Sequence, residues 1–365
     1  MVCNFPQKMK KFLCLFFAAL LSASLLTGCC HGTCQKTATN CGYQTASPVK
    51  LDRILDAVQT LAPIVTETPL QECDALSETH HVYLKLENQQ KIGSFKLRGA
   101  YYMMSKLTPE QRKKGVVTCS AGNHAQGVGF SADKFGIKAA IFLPASAPEK
   151  KINAVKAYKN AQVFLVDGSF DDASAAALEY QKREGAVYVP PFNDLDVIAG
   201  QGTIGWELCH QLPEADAIVV PIGGGGLISG IASAVKALKP SCKVIGVQSE
   251  AAASMVASLQ NGSPVTLDTV NTIADGTAVK RPGDITFDIC RTCVDEIVTV
   301  TEKDVAKAIS TLKRSYDITA EGAGALAPAA VMSGKISGKG LKVVCIISGG
   351  NIDPQLLDKI LQENP

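Results

Sequence analysis

Short apolar runs alternate with longer amphipathic stretches from about Leu51 onward. Runs rich in Val, Ile and Ala predict buried strands at Val82–Leu86, Val116–Thr118, Ala139–Leu143, Val163–Val166, Ala217–Ile222, Val244–Val247 and Val343–Ile347. Helical patterns lie between or after them, at Gly127–Lys134, Ala173–Arg183, Leu227–Leu238 and Val305–Ser315. Such an alternation of strands and helices is typical of an α/β fold with mostly parallel sheets.

The N-terminal segment differs from the rest of the chain. Three lysines precede the apolar run Phe12–Leu26, which is too short for a comfortable membrane span and is typical of a secretory signal. The sequence Leu26-Thr27-Gly28-Cys29 resembles the lipobox of bacterial lipoproteins. Residues 1–28 are therefore predicted to be a lipoprotein signal peptide and residues 29–49 a tether. The protein would be exported and anchored to the membrane through a lipidated Cys29, and the alternative is a cytoplasmic enzyme with a chance apolar extension.

Composition and charge exclude several classes of protein. Hydrophobic residues make up 46% of the chain, which excludes a disordered polymer. A formal net charge of +2 is not the excess of positive charge that is typical of nucleic-acid-binding proteins. The 5 histidines form no HExxH or HxH cluster, which argues against a zinc hydrolase.

The cysteines are unevenly distributed. Six of the 13 cysteines fall within residues 1–41, and the others are dispersed, mostly beside apolar residues, as expected for buried free thiols. That pattern suits a fold that evolved in the cytosol, and it conflicts with export.

Lys96 is the first candidate for chemistry, within Gly93-Ser94-Phe95-Lys96-Leu97-Arg98-Gly99-Ala100. Small and apolar neighbours can desolvate a lysine, which lowers its pKa and frees an amine able to form Schiff bases. On its own, the segment is better explained as a surface lysine at the start of a helix.

Three further loops follow predicted strands. Gly223, Gly224, Gly225 and Gly226 precede a helix, so their N–H groups can surround an anion such as a phosphate, although a flexible turn remains the alternative. They match neither the GxGxxG nor the P-loop pattern. Ser348 begins the loop Ser348-Gly349-Gly350-Asn351, and Ser120-Ala121-Gly122-Asn123-His124 can offer N–H groups to a carboxylate.

Taken together, these segments resemble the serine/threonine dehydratase family of fold-type II pyridoxal-phosphate enzymes, which also contains the serine racemases. The resemblance rests on GSFKLRGA, SAGNHAQG, PIGGGGL and SGGN in this order, with AGQGTIGWE, ADGTAVKRPG and EGAGALA, and it covers about residues 50–365. It is strongest to the short, catabolic threonine dehydratases, since no C-terminal regulatory domain follows. It implies two parallel-sheet α/β domains of the tryptophan synthase β type with the cofactor between them. The large domain would combine 50–114 with 191–365, and the small domain would be 115–190.

The resemblance also implies roles for individual residues. Lys96 matches the lysine that binds the cofactor and removes the Cα proton, and Glu321 matches an acidic residue near the cofactor. Asn123 matches the residue beside the ring hydroxyl, and Ser348 the hydroxyl that faces the pyridine nitrogen. The phosphate would be held by Gly223, Gly224, Gly225 and Gly226, and the substrate carboxylate by Ser120, Asn123 and His124.

The implied reaction is deaminating dehydration of L-threonine, and of L-serine, to 2-oxobutanoate or pyruvate and ammonia, in amino-acid catabolism or isoleucine biosynthesis. A neutral Ser348 hydroxyl does not enforce protonation of the pyridine nitrogen, which favours fast loss of a β-leaving group. Serine racemases carry SSGN where this chain has SAGN. The second serine of that motif returns a proton to the opposite face of Cα, and Ala121, which replaces it here, cannot donate a proton. Dehydratase is therefore preferred, and the alternative is a serine racemase or another amino-acid racemase or β-eliminase of the same fold. Glu250 matches one metal ligand of the racemases, but Val256 replaces the second, so a cation site stays undetermined.

Two further hypotheses come from other functional classes. A lipid-anchored binding protein could keep the fold without catalysis, but it would not need Lys96. Some short dehydratases bind a nucleotide effector at a dimer interface. The corresponding positions here are Lys91, Gln126, Tyr158 and Asn351. The family resemblance implies a homo-oligomer.

Overall fold

The computed structural model describes residues 47–364. The predicted signal peptide, Cys29 and almost all of the predicted tether lie outside the described residues. Contacts divide the chain into Met1–Gln44 and Thr45–Pro365, and the architecture given below is that of the second unit.

A six-stranded sheet forms the larger layer, in the order β1-β2-β10-β7-β8-β9. Its strands are β1 (Leu70–Glu72), β2 (His81–Lys85), β7 (Ala217–Pro221), β8 (Lys243–Ser249), β9 (Glu296–Val300) and β10 (Lys342–Ile346). Only the β1–β2 pair is antiparallel. Residues of β7 enter two different core clusters in alternation: Ala217 and Val219 pack with one, and Ile218 and Val220 with the other. Both faces of this sheet are therefore buried, as in other parallel sheets covered by helices.

A smaller, fully parallel sheet has the order β5-β4-β3-β6. Its strands are β3 (Val116–Cys119), β4 (Ala139–Pro144), β5 (Ala161–Val166) and β6 (Val187–Tyr188). Separate apolar clusters cover its two faces, one built on Val116 and Ile141 and the other on Val117 and Phe142.

Thirteen α-helices lie within the described residues. They are α1 (Leu51–Leu61), α2 (Lys96–Ser105), α3 (Pro109–Lys114), α4 (Asn123–Phe135), α5 (Glu149–Lys156), α6 (Phe170–Glu184), α7 (Leu195–Gln211), α8 (Gly226–Leu238), α9 (Ser254–Asn261), α10 (Asp284–Cys293), α11 (Glu302–Tyr316), α12 (Gly322–Met332) and α13 (Pro354–Glu363). Helices α4, α6 and α11 end at a residue with positive φ, the usual stop signal of a helix. No helix between residues 47 and 364 is both long and apolar enough to cross a bilayer.

The predicted α/β class is confirmed, and all seven predicted strands and all four predicted helices are present with shifted ends. Three strands were missed: Leu70–Glu72, Val187–Tyr188 and Glu296–Val300. Each is an edge strand, and two of them are very short. An edge strand is only partly buried, so its sequence lacks the continuous apolar run by which central parallel strands are recognised.

Candidate functional site

Lys96 begins helix α2, and its side chain is partly buried. Its Nζ donates a hydrogen bond of 2.7 Å to the carbonyl oxygen of Pro191. Burial lowers the pKa of Lys96 to about 8, although the Glu321 carboxylate acts in the opposite direction. A large fraction of this amine is therefore neutral and nucleophilic at mildly alkaline pH.

The segment that carries Lys96 contacts the loop that begins at Ser348. Ser94 and Gly349 form an antiparallel bridge, in which the Phe95 N–H donates to the carbonyl oxygen of Ser348 at 3.1 Å. Ser348 follows β10 and is only 2% exposed. The lysine segment is therefore attached to the strand-end loop through backbone contacts, as required if both face one ligand.

The glycine run joins β7 to α8. Gly225 has φ +95 and is the N-cap of α8. A Cβ built on Gly223 would lie 2.9 Å from the Thr277 Cα, and one on Gly224 would lie 2.4 Å from the Phe192 ring. The backbone here leaves no room for side chains. Among the described residues, the N–H groups of Gly223, Gly224 and Gly225 donate to no backbone carbonyl oxygen. They are available to an anion at the N-terminus of the helix.

The segment that connects β6 to α7 was missed by the sequence analysis. The Pro191 carbonyl oxygen accepts from Lys96, and the next residue, Phe192, packs on Gly224 and Gly226. This segment therefore links the amine to the glycine run. The adjacent prolines Pro190 and Pro191 are typical of a loop, but a backbone acceptor carries no side-chain signal by which it could be found.

Asn123, the first residue of α4, lies at the centre of a polar network. Its Nδ2 donates to Glu321 Oε1 at 2.7 Å, and its Oδ1 accepts from Asn351 Nδ2 at 2.7 Å. Glu321, 6% exposed, is the N-cap residue of α12. Burial and the nearby Asp275 raise the pKa of Glu321 to about 7, while the bond from Asn123 lowers it. Asn123 and Glu321, both assigned to the site by the family resemblance, are therefore in direct contact.

Ser120 and His124 flank the N-terminus of the same helix. The Ser120 Oγ accepts a hydrogen bond from the Gly122 N–H at 3.2 Å. His124 is 3% exposed and its Nε2 lies 2.9 Å from the Val189 carbonyl oxygen. Burial and the charge of Lys96 lower the pKa of His124 to about 3, so the ring is neutral and Nε2–H is the donor. Contact of these two side chains with a substrate carboxylate stays a prediction.

Four buried charged residues, Lys85, Glu87, Arg98 and Glu207, form a buried ion cluster behind the lysine segment. Arg98 Nη2 lies 2.8 Å from Glu87 Oε1 and 3.0 Å from Glu207 Oε2, and Lys85 Nζ lies 2.6 Å from Glu207 Oε2. Two positive charges balance two negative charges. Because Arg98 lies in the first turn of α2, the cluster holds the helix on which Lys96 stands.

The arrangement fits pyridoxal phosphate. Lys96 offers a buried amine to the aldehyde, and the N–H groups of the glycine run offer donors to the phosphate. Asn123 and Ser348 are present to contact the ring. No group of three His, Cys, Asp or Glu side chains between residues 47 and 364 could hold a metal ion, and Glu250 is exposed.

Replacing Gly225 with alanine is expected to weaken cofactor binding at least tenfold. A left-handed φ costs about 1–2 kcal/mol for a residue with a Cβ, and this Cβ would lie 2.8 Å from the Thr286 Cβ. Titration of apoprotein with the cofactor measures the effect. Gly262→Ala is the matched control, because Gly262 has φ +78 with nothing within 4 Å of the added atom. The control should lose stability but keep its affinity, and equal affinity losses in both variants would contradict the assignment of the cradle.

Glu321→Gln is expected to stabilise the apoprotein increasingly as the pH rises. The folded pKa of about 7 lies above the ordinary 4.5, so folding favours the protonated acid. The contribution of Glu321 to the free energy of unfolding is then fully present below about pH 4.5 and is lost as the pH rises through 7. The neutral amide avoids this loss, and its advantage should grow by roughly 2–3 kcal/mol between pH 5 and pH 8. Urea unfolding at several pH values measures it, and a constant difference would contradict the raised pKa.

Comparison with known proteins identifies the family. Residues 61–349 match the family model described as pyridoxal-phosphate dependent enzyme. L-threonine ammonia-lyase of Thermotoga maritima is 49% identical over 317 residues, 86% of this chain and 79% of that protein. Two solved structures superpose with a TM-score of 0.81. One is the processed form of threonine deaminase isoform 2 from Solanum lycopersicum, which is 40% identical and matches 85% of this chain and 87% of that chain. The other is maize serine racemase, which is 36% identical and matches 86% of this chain and 97% of that chain.

The family model covers most of the chain, and the lysine, the glycine run and the strand-end serine lie within the matched residues. The fold is that of the fold-type II enzymes, with the cofactor that the model names. The chain belongs to the family of pyridoxal-phosphate-dependent enzymes.

Proposed function

We propose that this protein is a threonine ammonia-lyase that converts L-threonine to 2-oxobutanoate and ammonia, and L-serine to pyruvate and ammonia. The observation that carries the choice of reaction is the 49% identity to an L-threonine ammonia-lyase. The fold alone does not choose, since a threonine deaminase and a serine racemase superpose equally well. Ala121 supports elimination over racemisation, because it cannot supply a proton to the second face of Cα.

Pyridoxal phosphate, when bound, withdraws electron density from the Cα of the amino acid. The glycine N–H groups at the start of α8 would hold its phosphate, and Asn123 and Ser348 would contact its ring. Lys96 would attach it and, once released as a free amine, would accept the Cα proton at Nζ. The lowered pKa of this amine, about 8, suits both roles at mildly alkaline pH.

Atoms balance over the whole reaction. The Cα–H bond and the Cβ–O bond of L-threonine break, and the hydroxyl leaves as water. The enamine that is released tautomerises and is hydrolysed by one water to 2-oxobutanoate and ammonia. Dehydration and hydrolysis therefore cancel, and no oxidant or reductant is needed.

The test is an assay of the purified protein with pyridoxal phosphate. Rapid 2-oxobutanoate from L-threonine, with pyruvate from L-serine and no D-serine, is the expected result. D-serine without ketoacid would favour a racemase, and cofactor absorbance without either product would favour a binding protein. The relative rates on the two substrates also decide between threonine and serine preference.

The division into domains is part of the proposal. The four-stranded sheet uses strands between Val116 and Tyr188, which supports a small domain at 115–190. Lys151 Nζ reaches Asp275 Oδ2 at 2.5 Å, and Lys150 Nζ reaches the Ile352 carbonyl oxygen at 3.2 Å. Helix α5 thereby contacts loops on the larger sheet. Closure of the small domain would exclude water from the substrate.

A nucleotide effector and a homo-oligomer are further elements of the proposal. Asn351 Nδ2 donates both to Asn123 Oδ1 and to the Ile92 carbonyl oxygen, next to the exposed Lys91. Tyr158 packs against Gly129 of α4, the helix that carries Gln126. A nucleotide near these positions would be connected to the site through Asn351. Activity that stays constant on addition of AMP, CMP or ATP would count against an effector.

Export and lipid anchoring rest on the N-terminal sequence alone. The lysines before Phe12–Leu26 and the position of Cys29 support them. The seven cysteines in residues 47–364 are all free, which suits a reducing compartment and opposes export. Incorporation of labelled fatty acid into the wild-type chain, and its loss in Cys29→Ala, would establish the anchor. An unlabelled wild-type chain in the cytoplasmic fraction would reject it. Assignment to catabolism or to isoleucine biosynthesis stays a prediction.

A further inference from the structure

Ser94 lies two residues before Lys96 and is completely buried. Its Oγ has no hydrogen-bond partner among the described residues. A buried hydroxyl without a partner is disfavoured in a folded protein, so such a group calls for an explanation. Neither the family resemblance nor the reaction steps above assign this side chain a role.

The backbone shows which way Ser94 faces. In its bridge with Gly349, the Phe95 N–H donates to the Ser348 carbonyl oxygen and the Gly350 N–H donates to the Gly93 carbonyl oxygen. Ser94 and Gly349 are therefore directly opposite each other as a non-hydrogen-bonded pair. Side chains of such a pair leave the ladder on the same face.

That face is the one occupied by the polar network of the site. A Cβ built on Gly349 would lie 2.5 Å from Glu321 Oε1 and 3.2 Å from Asn123 Nδ2. Asn123 Nδ2 already donates to Glu321 Oε1, so these two groups satisfy each other. The Ser94 side chain thus leaves the backbone on the same side as the site residues, and its hydroxyl takes no part in their hydrogen bonds.

We infer that Ser94 is a cofactor-binding residue whose hydroxyl hydrogen-bonds the pyridoxal phosphate held beside Lys96. The inference rests on the cofactor of the proposed function and deepens the account of the same site. The bound cofactor would supply the hydrogen-bond partner that the Ser94 hydroxyl lacks in the folded chain. Ser94 would then add to cofactor affinity without contributing to the stability of the apoprotein.

The test measures two properties of Ser94→Ala with opposite expectations. Cofactor titration of the apoprotein should give a dissociation constant about five- to tenfold higher than that of the wild type, the loss typical of one hydrogen bond. Urea unfolding of the apoprotein should show an unchanged or higher midpoint, because an unpartnered polar group has been removed.

Ser258→Ala is the matched control. Ser258 is equally buried, but its Oγ donates to the Ser254 carbonyl oxygen at 2.6 Å and accepts from the Val265 N–H at 3.0 Å. This variant should lower the unfolding midpoint of the apoprotein and leave the dissociation constant of the cofactor unchanged. The fall in its unfolding midpoint therefore measures the loss of stability when a buried, hydrogen-bonded hydroxyl is removed.

Two outcomes would overturn the inference. One is an unchanged dissociation constant in Ser94→Ala. The other is a drop in apoprotein stability as large as that of Ser258→Ala, since Ser94 would then be bonded before the cofactor arrives, for instance to a water. A wild-type protein that binds the cofactor but forms no ketoacid would refute the proposed reaction, and the titrations would still decide the role of Ser94.

Discussion

Lys96→Ala is expected to reduce ketoacid formation from L-threonine by at least about 10³-fold and to abolish the visible absorbance of the bound cofactor. The variant loses both the amine that attaches the cofactor and the base that takes the Cα proton. The Lys96 Nζ is held at its position by a hydrogen bond to the Pro191 carbonyl oxygen, and alanine has no group that could take its place. Steady-state assay and absorbance spectra of the same preparation measure both losses.

The exposed Lys339 provides the control for this prediction. Lys339→Ala removes an equal charge from a surface loop and should keep wild-type turnover and absorbance. Near-normal ketoacid production by Lys96→Ala, with the control unchanged, would remove the basis of the lyase assignment.

Arg98→Met is expected to lower the free energy of unfolding by about 3–5 kcal/mol. Glu87 and Arg98 have 0% side-chain exposure. In the variant, the buried ion cluster would contain two carboxylates but only one positive charge, that of Lys85. The attraction of Arg98 lowers the pKa of Glu87, and the two carboxylates raise the pKa of Arg98. Removing the guanidinium therefore leaves a buried negative charge without its partner. Urea unfolding measures the loss.

Two comparisons separate the buried charge from simple loss of contact. Adding Glu87→Gln to Arg98→Met removes the uncompensated carboxylate and should restore at least about 1 kcal/mol. Lys313→Met breaks the exposed pair with Asp317 and should cost under about 0.5 kcal/mol. If the double variant were less stable than Arg98→Met, the uncompensated charge would not be the cause.

Features that depend on neighbouring residues could be predicted from the sequence. The central strands were recognised because a strand buried on both faces needs a continuous apolar run. The glycine run was recognised because four consecutive glycines between a strand and a helix have few structural uses. Lys96 became a strong candidate through the family motif, since its local sequence was also compatible with a surface lysine.

Features that depend on distant residues were missed. The Pro191 carbonyl oxygen lies 95 positions from Lys96 in the chain, and every backbone has such an acceptor. Arg98 and Glu207 are separated by 109 positions, so nothing local shows that their charges meet in the interior. The edge strand Glu296–Val300 depends on pairing with β8.

The fold class, the family and the candidate groups could be predicted before the structure, because they follow from local patterns and from motifs in a characteristic order. Which of these groups meet depends on the packing of the folded chain. That packing placed Asn123 against Glu321, attached the lysine segment to the loop at Ser348, and left the Ser94 hydroxyl buried without a partner. Burial and proximity alter pKa values and hydrogen bonding, and both arise from packing between segments far apart in the chain.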